Sequence, residues 1–264
     1  HTLAGLVAWH QGDNAAAGDH LHQAAALYRI EAHAAMFQKY MKDFGVFSLF
    51  YAGLTASVRG DFAAAQGFAD RAQQTSETLA IPHAMGFGLL AQFMTALMRG
   101  DTAAARHYSL LGETLARPHR FPEFQAMSVF TQGWADSRDP ATHAQGVARM
   151  LDGLAGWQNT GFLAWQSLFE SLLIEELVQA GRLTEAQGHL GHLKQRIAQS
   201  GELQFLAPAL VAEARLLAAH HQTDAARQCL ALAMTHARER QALLWLGKAE
   251  GAMAGIGGIG GGGG

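Results

Sequence analysis

Gly12-Asp-Asn-Ala-Ala-Ala, Gly60-Asp-Phe-Ala-Ala-Ala and Gly100-Asp-Thr-Ala-Ala-Ala are one short phrase written three times in a chain of 264 residues. Weaker copies follow at Arg138-Asp-Pro-Ala-Thr-His, Gly181-Arg-Leu-Thr-Glu-Ala and His221-Gln-Thr-Asp-Ala-Ala, with steps from Gly12 of 48, 40, 38, 43 and 40 residues. A period in this range is the mark of a repeat architecture. The phrase reads as the turn of a helical hairpin. Glycine accepts the left-handed backbone that ends a first helix. Asp, Thr or Pro then opens a second, either capping its free amides or presetting φ.

The flanking sequence agrees. Phe62, Ala65, Phe68, Ala69, Ala72 and Leu79 fall on one helical face, and small alanines allow paired helices to approach closely. Leu163, Trp165, Leu168, Phe169, Leu172, Leu173 and Leu177 make a helix apolar on more than one side, as expected for one lying between neighbours in a stack. The expected fold is all-α: a right-handed α-solenoid of about six hairpins at 1–30, 43–80, 83–117, 122–158, 162–199 and 203–238, closed by a helix over 240–254. Pro82, Pro118, Pro122 and Pro208 are read as inter-hairpin turns, because proline disfavours helix in the residue before it. Residues 255–264 hold eight of the 30 glycines and are expected to form a flexible tail outside the fold.

Composition narrows the function. Hydrophobic residues are 49% and charged residues 16% of the chain, with a net charge of −3, and no cluster of Lys and Arg offers a nucleic-acid surface. No apolar run reaches the roughly 18 residues needed to span a bilayer. Cys229 is the single cysteine; it excludes an intrachain disulfide and suits a cytoplasmic setting. It is expected to be a small core residue rather than a nucleophile. The chain begins at His1 without a signal peptide or an initiator Met, and is read as cut from something longer or trimmed to its ordered part.

A search for chemistry returns little. Among 14 histidines, His189 and His192 stand three apart on a helix, His20 and His22 two apart, and His220-His221 adjacent. None has the spacing of a zinc protease or a Cys pair, so the plainer reading is surface histidine and no metal. There is no phosphate loop, no Gly-x-Ser-x-Gly elbow, and Glu175-Glu176 point apart on a helix. No catalytic residue, metal or cofactor is expected.

The Gly-Asp turns and the alanines after them, such as Ala15, Ala63 and Ala103, resemble the tetratricopeptide repeat. Gly5 and Gly53, seven residues before their turn glycines, match that family's small residue in the middle of the first helix. The units run nearer 40 residues than the family's roughly 34, so their helices are expected to be about one turn longer. Over residues 125–220, Gly133-Trp134, Gly146-Val-Ala-Arg-Met-Leu-Asp-Gly-Leu-Ala, Thr160-Gly161, Glu175-Glu-Leu-Val-Gln-Ala-Gly-Arg-Leu-Thr-Glu-Ala, Ser200-Gly201-Glu202 and Ala212-Glu-Ala-Arg-Leu-Leu are similar to the C-terminal repeats of bacterial signalling ATPases. These include cyclase-fused proteins and regulators of the maltose-regulator type.

The resemblance implies a non-catalytic sensor or protein-interaction arm of such an ATPase or transcription regulator. A partner, ligand or adjoining domain would bind the concave face lined by first helices. Threading the family pattern through each turn places Trp9, His10, Phe47, Phe50, Phe87, Met94, Gln125, Gln132, Asp136, Glu175 and Arg215 on that face. Phe47, Phe50 and Phe87 read equally well as packing between helices. A free-standing peptide-binding adaptor, and a small-molecule receptor or enzyme inside the superhelix, are the other two readings.

Overall fold

The computed structural model describes residues 1–258. They form fifteen helices and no strand: α1 (Thr2–His10), α2 (Asn14–Leu27), α3 (Ile30–His33), α4 (Met36–Tyr40), α5 (Phe44–Val58), α6 (Phe62–Leu79), α7 (Pro82–Arg99), α8 (Thr102–His119), α9 (Pro122–Ser137), α10 (His143–Asn159), α11 (Gln166–Gln179), α12 (Leu183–Ser200), α13 (Leu206–Ala219), α14 (Thr223–Glu239) and α15 (Leu243–Gly258).

The repeated phrase does locally what its residues dictate. Gly12, Gly60, Gly100, Gly181 and His221 take left-handed φ values of 73°, 81°, 81°, 72° and 59°. The carboxylates of Asp13, Asp61 and Asp101 each accept a hydrogen bond of 3.0 Å from the amide three residues on, at Ala16, Ala64 and Ala104. That bond satisfies one of the donors every helix start leaves bare. Arg138 differs: it stays right-handed at φ −80°, and the chain reaches α10 through a longer turn in which the Thr142 hydroxyl donates to the Asp136 carbonyl at 2.7 Å.

The chain divides into two compact units, one of His1–Trp9 with Asp13–Phe162, the other of His10–Gly12 with Leu163 onward. In the first, α5 packs on α6 and α7, α7 on α8 and α9, and α9 on α10. In the second, α11 packs on α12 and α13, and α13 on α14 and α15. Within each unit, α5, α7, α11 and α13 therefore each meet both their own hairpin partner and the first helix that follows. The second helices are half-wet: α6 buries Ala65, Phe68, Ala69, Ala72 and Ser76 and leaves the opposite face polar. α5 is buried from Gly45 through Val58.

The structure departs from the sequence reading in four places. The 48-residue first step contains α3 and α4, two short helices that bury none of their residues. Pro118 and Pro208 lie within helices, in the last turn of α8 and the first turn of α13; the first turn tolerates proline because its amides have no intrahelical acceptor. Leu163 is 74% exposed in the turn before α11 rather than on a buried helix face. The closing helix continues to Gly258, taking in the first glycines of the tail; residues 259–264 lie outside the described residues.

Candidate functional site

At the N-terminal ends of α5, α7 and α9 the first unit gathers aromatic rings around two basic groups. Phe47 and Phe87 meet edge to face with centroids 5.3 Å apart, and Phe87 meets Phe124 in the same way at 5.1 Å. Phe50 lies 5.9 Å from Phe87. Pro82 and Pro122 stand at the first positions of α7 and α9, where a fixed φ suits the helix start, so each following turn presents its side chains at a set place. His83 lies among Phe37, Phe87, Phe121 and Phe124, with centroids 5.3–6.2 Å away. The Lys42 ammonium sits 4.1 Å from the Phe47 centroid and 5.8 Å from that of Phe87.

The electrostatics follow from this setting. Burial pulls the Lys42 ammonium below the usual lysine range. Burial, and secondly the nearby Lys42 charge, do the same to His83. His83 Nε2 lies 3.7 Å from Glu123, while its Nδ1 is buried without a hydrogen-bond partner. Asp43, next to Lys42, is committed elsewhere: one oxygen accepts from the Val46 amide at 2.8 Å and the other from the Tyr28 hydroxyl at 2.6 Å.

A second feature of this unit is an apolar cleft of about 430 Å³ lined by residues that include Leu3, Leu27, Tyr28, Met36, Tyr40 and Phe44. Leu3, Leu27, Met36 and Tyr40 are 68%, 63%, 39% and 48% exposed. The exposed apolar lining of the cleft comes from α1, α2 and α4, with His33 of α3 and Phe44 of α5 beside them.

The residues expected to line a concave face are scattered between core and surface. Trp9, Phe50 and Met94 are fully buried, Phe47 nearly so, and Phe87 half-buried. Trp9 packs edge to face on Tyr51 at 5.1 Å. Trp9, Phe47, Phe50 and Met94 fill the core, while Phe87 keeps part of its ring at the surface. Gln132 and Asp136 are buried too, each with a partner: Gln132 donates to Glu113 at 2.8 Å, and Asp136 pairs with Arg106 and, at 2.7 Å, with Arg149. His10 is half-buried, and burial lowers its pKa; its carbonyl accepts from the Leu203 amide at 3.1 Å. Glu175 and Arg215 come together as an ion pair of 3.1 Å between α11 and α13. Gln125 is exposed.

The histidines singled out by spacing have other occupations. His189 hydrogen-bonds Glu170 on α11, and its ring centroid is 6.5 Å from that of His192. The His22 ring bonds the Gly18 carbonyl at 2.8 Å. Cys229 packs beside the apolar cluster of Val211, Ala214, Ala226, Leu230, Ala233 and Ala249, and burial raises its thiol pKa. No group of three or more His, Cys, Asp or Glu side chains is gathered as metal ligands among the described residues. None of the described helices is long and apolar enough to cross a membrane.

Sequence reasoning missed Lys42, His83, Phe121 and Phe124. Their clustering depends on stacking three first helices in register, which no local motif announces. Comparison with protein-family models found no match, and a search of curated proteins found none either.

Proposed function

We propose that the chain is a non-catalytic protein-interaction module, a right-handed solenoid of tetratricopeptide-like hairpins, whose protein partner docks an apolar segment in the cleft between α1, α2 and α4. The observation that carries this reading is the convergence of Leu3, Leu27, Met36 and Tyr40, four exposed large apolar side chains, on that one cleft. Soluble proteins scatter such residues; a contiguous group rimmed by polar ones marks a contact surface. The packing of α5 on α7 and α7 on α9 in one unit, and of α11 on α13 and α13 on α15 in the other, supports the solenoid. Phe47 and Phe50 lie in the core, so the proposal takes the cleft, whose apolar side chains are exposed, as the place of contact.

The resemblance of residues 125–220 to signalling ATPases extends the proposal to a role as the sensing arm of a nucleotide-driven switch. Partner binding would bias the switch by its differential affinity for two states. A free-standing adaptor would use the same cleft.

A photo-reactive residue at position 27, with one at Leu232 as an exposed apolar control on α14 (60% exposed), tests the docking. Cross-linking to one partner is expected from position 27 and not from 232. The purified partner should then bind Leu27→Asp/Tyr40→Ser at least tenfold more weakly, with helical circular dichroism unchanged. Equal cross-linking from both positions, or undiminished binding by the variant, would overturn the cleft as the contact.

A further inference from the structure

We propose that Lys42 and His83 form a binding site for the carboxylate of a small aromatic acid, separate from the apolar cleft and independent of the reading given to it. The chain has four lysines, and their surroundings differ. Lys194 is paired with Glu213 at 2.7 Å. Lys39 lies over Tyr40 and Lys248 over Trp245, rings close to them in sequence. Lys42 is set against two rings from different helices, Phe47 of α5 and Phe87 of α7. Its ammonium has neither a hydrogen bond nor an ion pair among the described residues.

A half-buried cation of this kind costs free energy unless paired, and ring faces return only part of the lost hydration. No carboxylate among the described residues does the pairing: Asp43 is held by Tyr28 and the start of α5, and Glu123 faces His83. His83 repeats the pattern, with a buried Nδ1 that lacks a partner. Buried polar atoms are nearly always satisfied, so an orphan beside an unpaired cation points to a group that arrives from outside.

The chemistry of the guest follows from the donors and the walls. One ammonium and one imidazole suit a monoanion that accepts hydrogen bonds. Phe37, Phe87, Phe121 and Phe124 around His83 suit a flat apolar body. The side chains of His83 and Glu123 are 23% and 21% exposed, so this end of the ring cluster reaches the surface.

Calorimetric titration of the full chain with benzoate, acetate and benzyl alcohol is the test. Benzoate is expected to bind saturably, acetate at least tenfold more weakly, and benzyl alcohol not at all. Lys42→Gln should weaken benzoate at least tenfold, Lys42→Arg should retain most of the binding, and Lys194→Gln should match the parent. In the unsubstituted protein, amide resonances of residues 42–47 and 83–87 should shift saturably with benzoate, a readout that no folding defect of a variant can affect. Absence of those shifts at tens of millimolar benzoate, equal binding of benzyl alcohol, or full binding by Lys42→Gln would overturn the proposal.

Discussion

The pairs α9–α10 and α11–α12 are successive hairpins held by different means. α9 and α10 meet backbone to backbone. A Cβ added at Gly133 would lie 2.6 Å from the Met150 nitrogen and 2.8 Å from the Gly146 carbonyl oxygen, and one at Gly153 would lie 2.5 Å from the Phe130 nitrogen. In α12, Gly188 and Gly191 have nothing within 4 Å of an added Cβ. There the contact with α11 includes long side chains, with Arg196 reaching Glu170, whose side chain is fully buried. Where the glycines bring the two backbones together there is no room for side chains, and the Asp136–Arg149 pair that links α9 and α10 is made at the C-terminal end of α9. In α11–α12 the charged end of Arg196 reaches inside and must be paired. The glycine-lined contact therefore answers to volume and the α11–α12 contact to charge.

The ionic contact should break hardest. Burial opposes ionisation of Glu170, but the hydrogen bond from His189 and the ion pair with Arg196 prevail and hold its carboxyl below the usual glutamate range. Arg196→Met leaves that carboxylate with only the imidazole, and should destabilise the protein by about 3 kcal/mol at pH 7 in urea denaturation. Glu170→Met/Arg196→Met should recover most of the loss, since an apolar pair of similar volume needs no partner. Because the folded pKa of Glu170 is depressed, its contribution is present above the ordinary value of 4.5 and is lost as pH falls through the folded value. The gap between parent and single variant should therefore narrow below about pH 4. A double variant as weak as the single one would remove charge as the organising demand of this hairpin.

Glycine to alanine should then separate the two hairpins by sign. At Gly133 the added methyl meets only backbone atoms of α10, which cannot rotate away, so the helices must part at a cost of about 2–3 kcal/mol. At the exposed Gly191 the methyl enters open space and stiffens the unfolded chain, for a gain of about 0.5–1 kcal/mol. Denaturant midpoints of both variants, measured side by side, decide it. Losses of the same size at both sites would mean that close approach does not distinguish α9–α10.

How far the sequence discloses this depends on the distance over which each feature is determined. The turns were legible because a left-handed residue and an aspartate cap act within four residues, as at Gly60 and Asp61. The insertion of α3 and α4 showed only as excess length in one repeat. Gly133 and Gly146 stood out as members of a pattern, but their reason is a backbone contact between helices that spacing does not reveal. Glu170 and Arg196 are 26 residues apart, and the rings of Phe47 and Phe87 meet across two helices. Such pairings appear only after stacking. Whether Phe47 and Phe50 face a groove or the core stayed open in the sequence for a related reason: which side of α5 is covered depends on everything packed around it, and α5 is buried from Gly45 through Val58.

The smallest effect concerns a second carboxylate beside the same arginine. Glu202 follows the left-handed Gly201 and accepts a hydrogen bond from the Ser167 hydroxyl. Burial raises its pKa, and the opposing pulls of Ser167 and Arg196 do not cancel that rise. The sign is the reverse of that for Glu170. A carboxyl whose folded pKa lies above its unfolded one favours the folded state while protonated, and the advantage is lost as pH rises through the folded value. At pH 7 the ionised Glu202 is therefore a net cost, reduced by the solvent that reaches a half-buried group. Glu202→Gln keeps an oxygen to accept from Ser167 and removes the charge, so it should gain stability of under about 1 kcal/mol at pH 7. Below about pH 4 both side chains are neutral and the gain should vanish. A loss at pH 7 would mean that Arg196 serves both carboxylates, and the charge demand of this hairpin would then extend from one buried pair to a shared network.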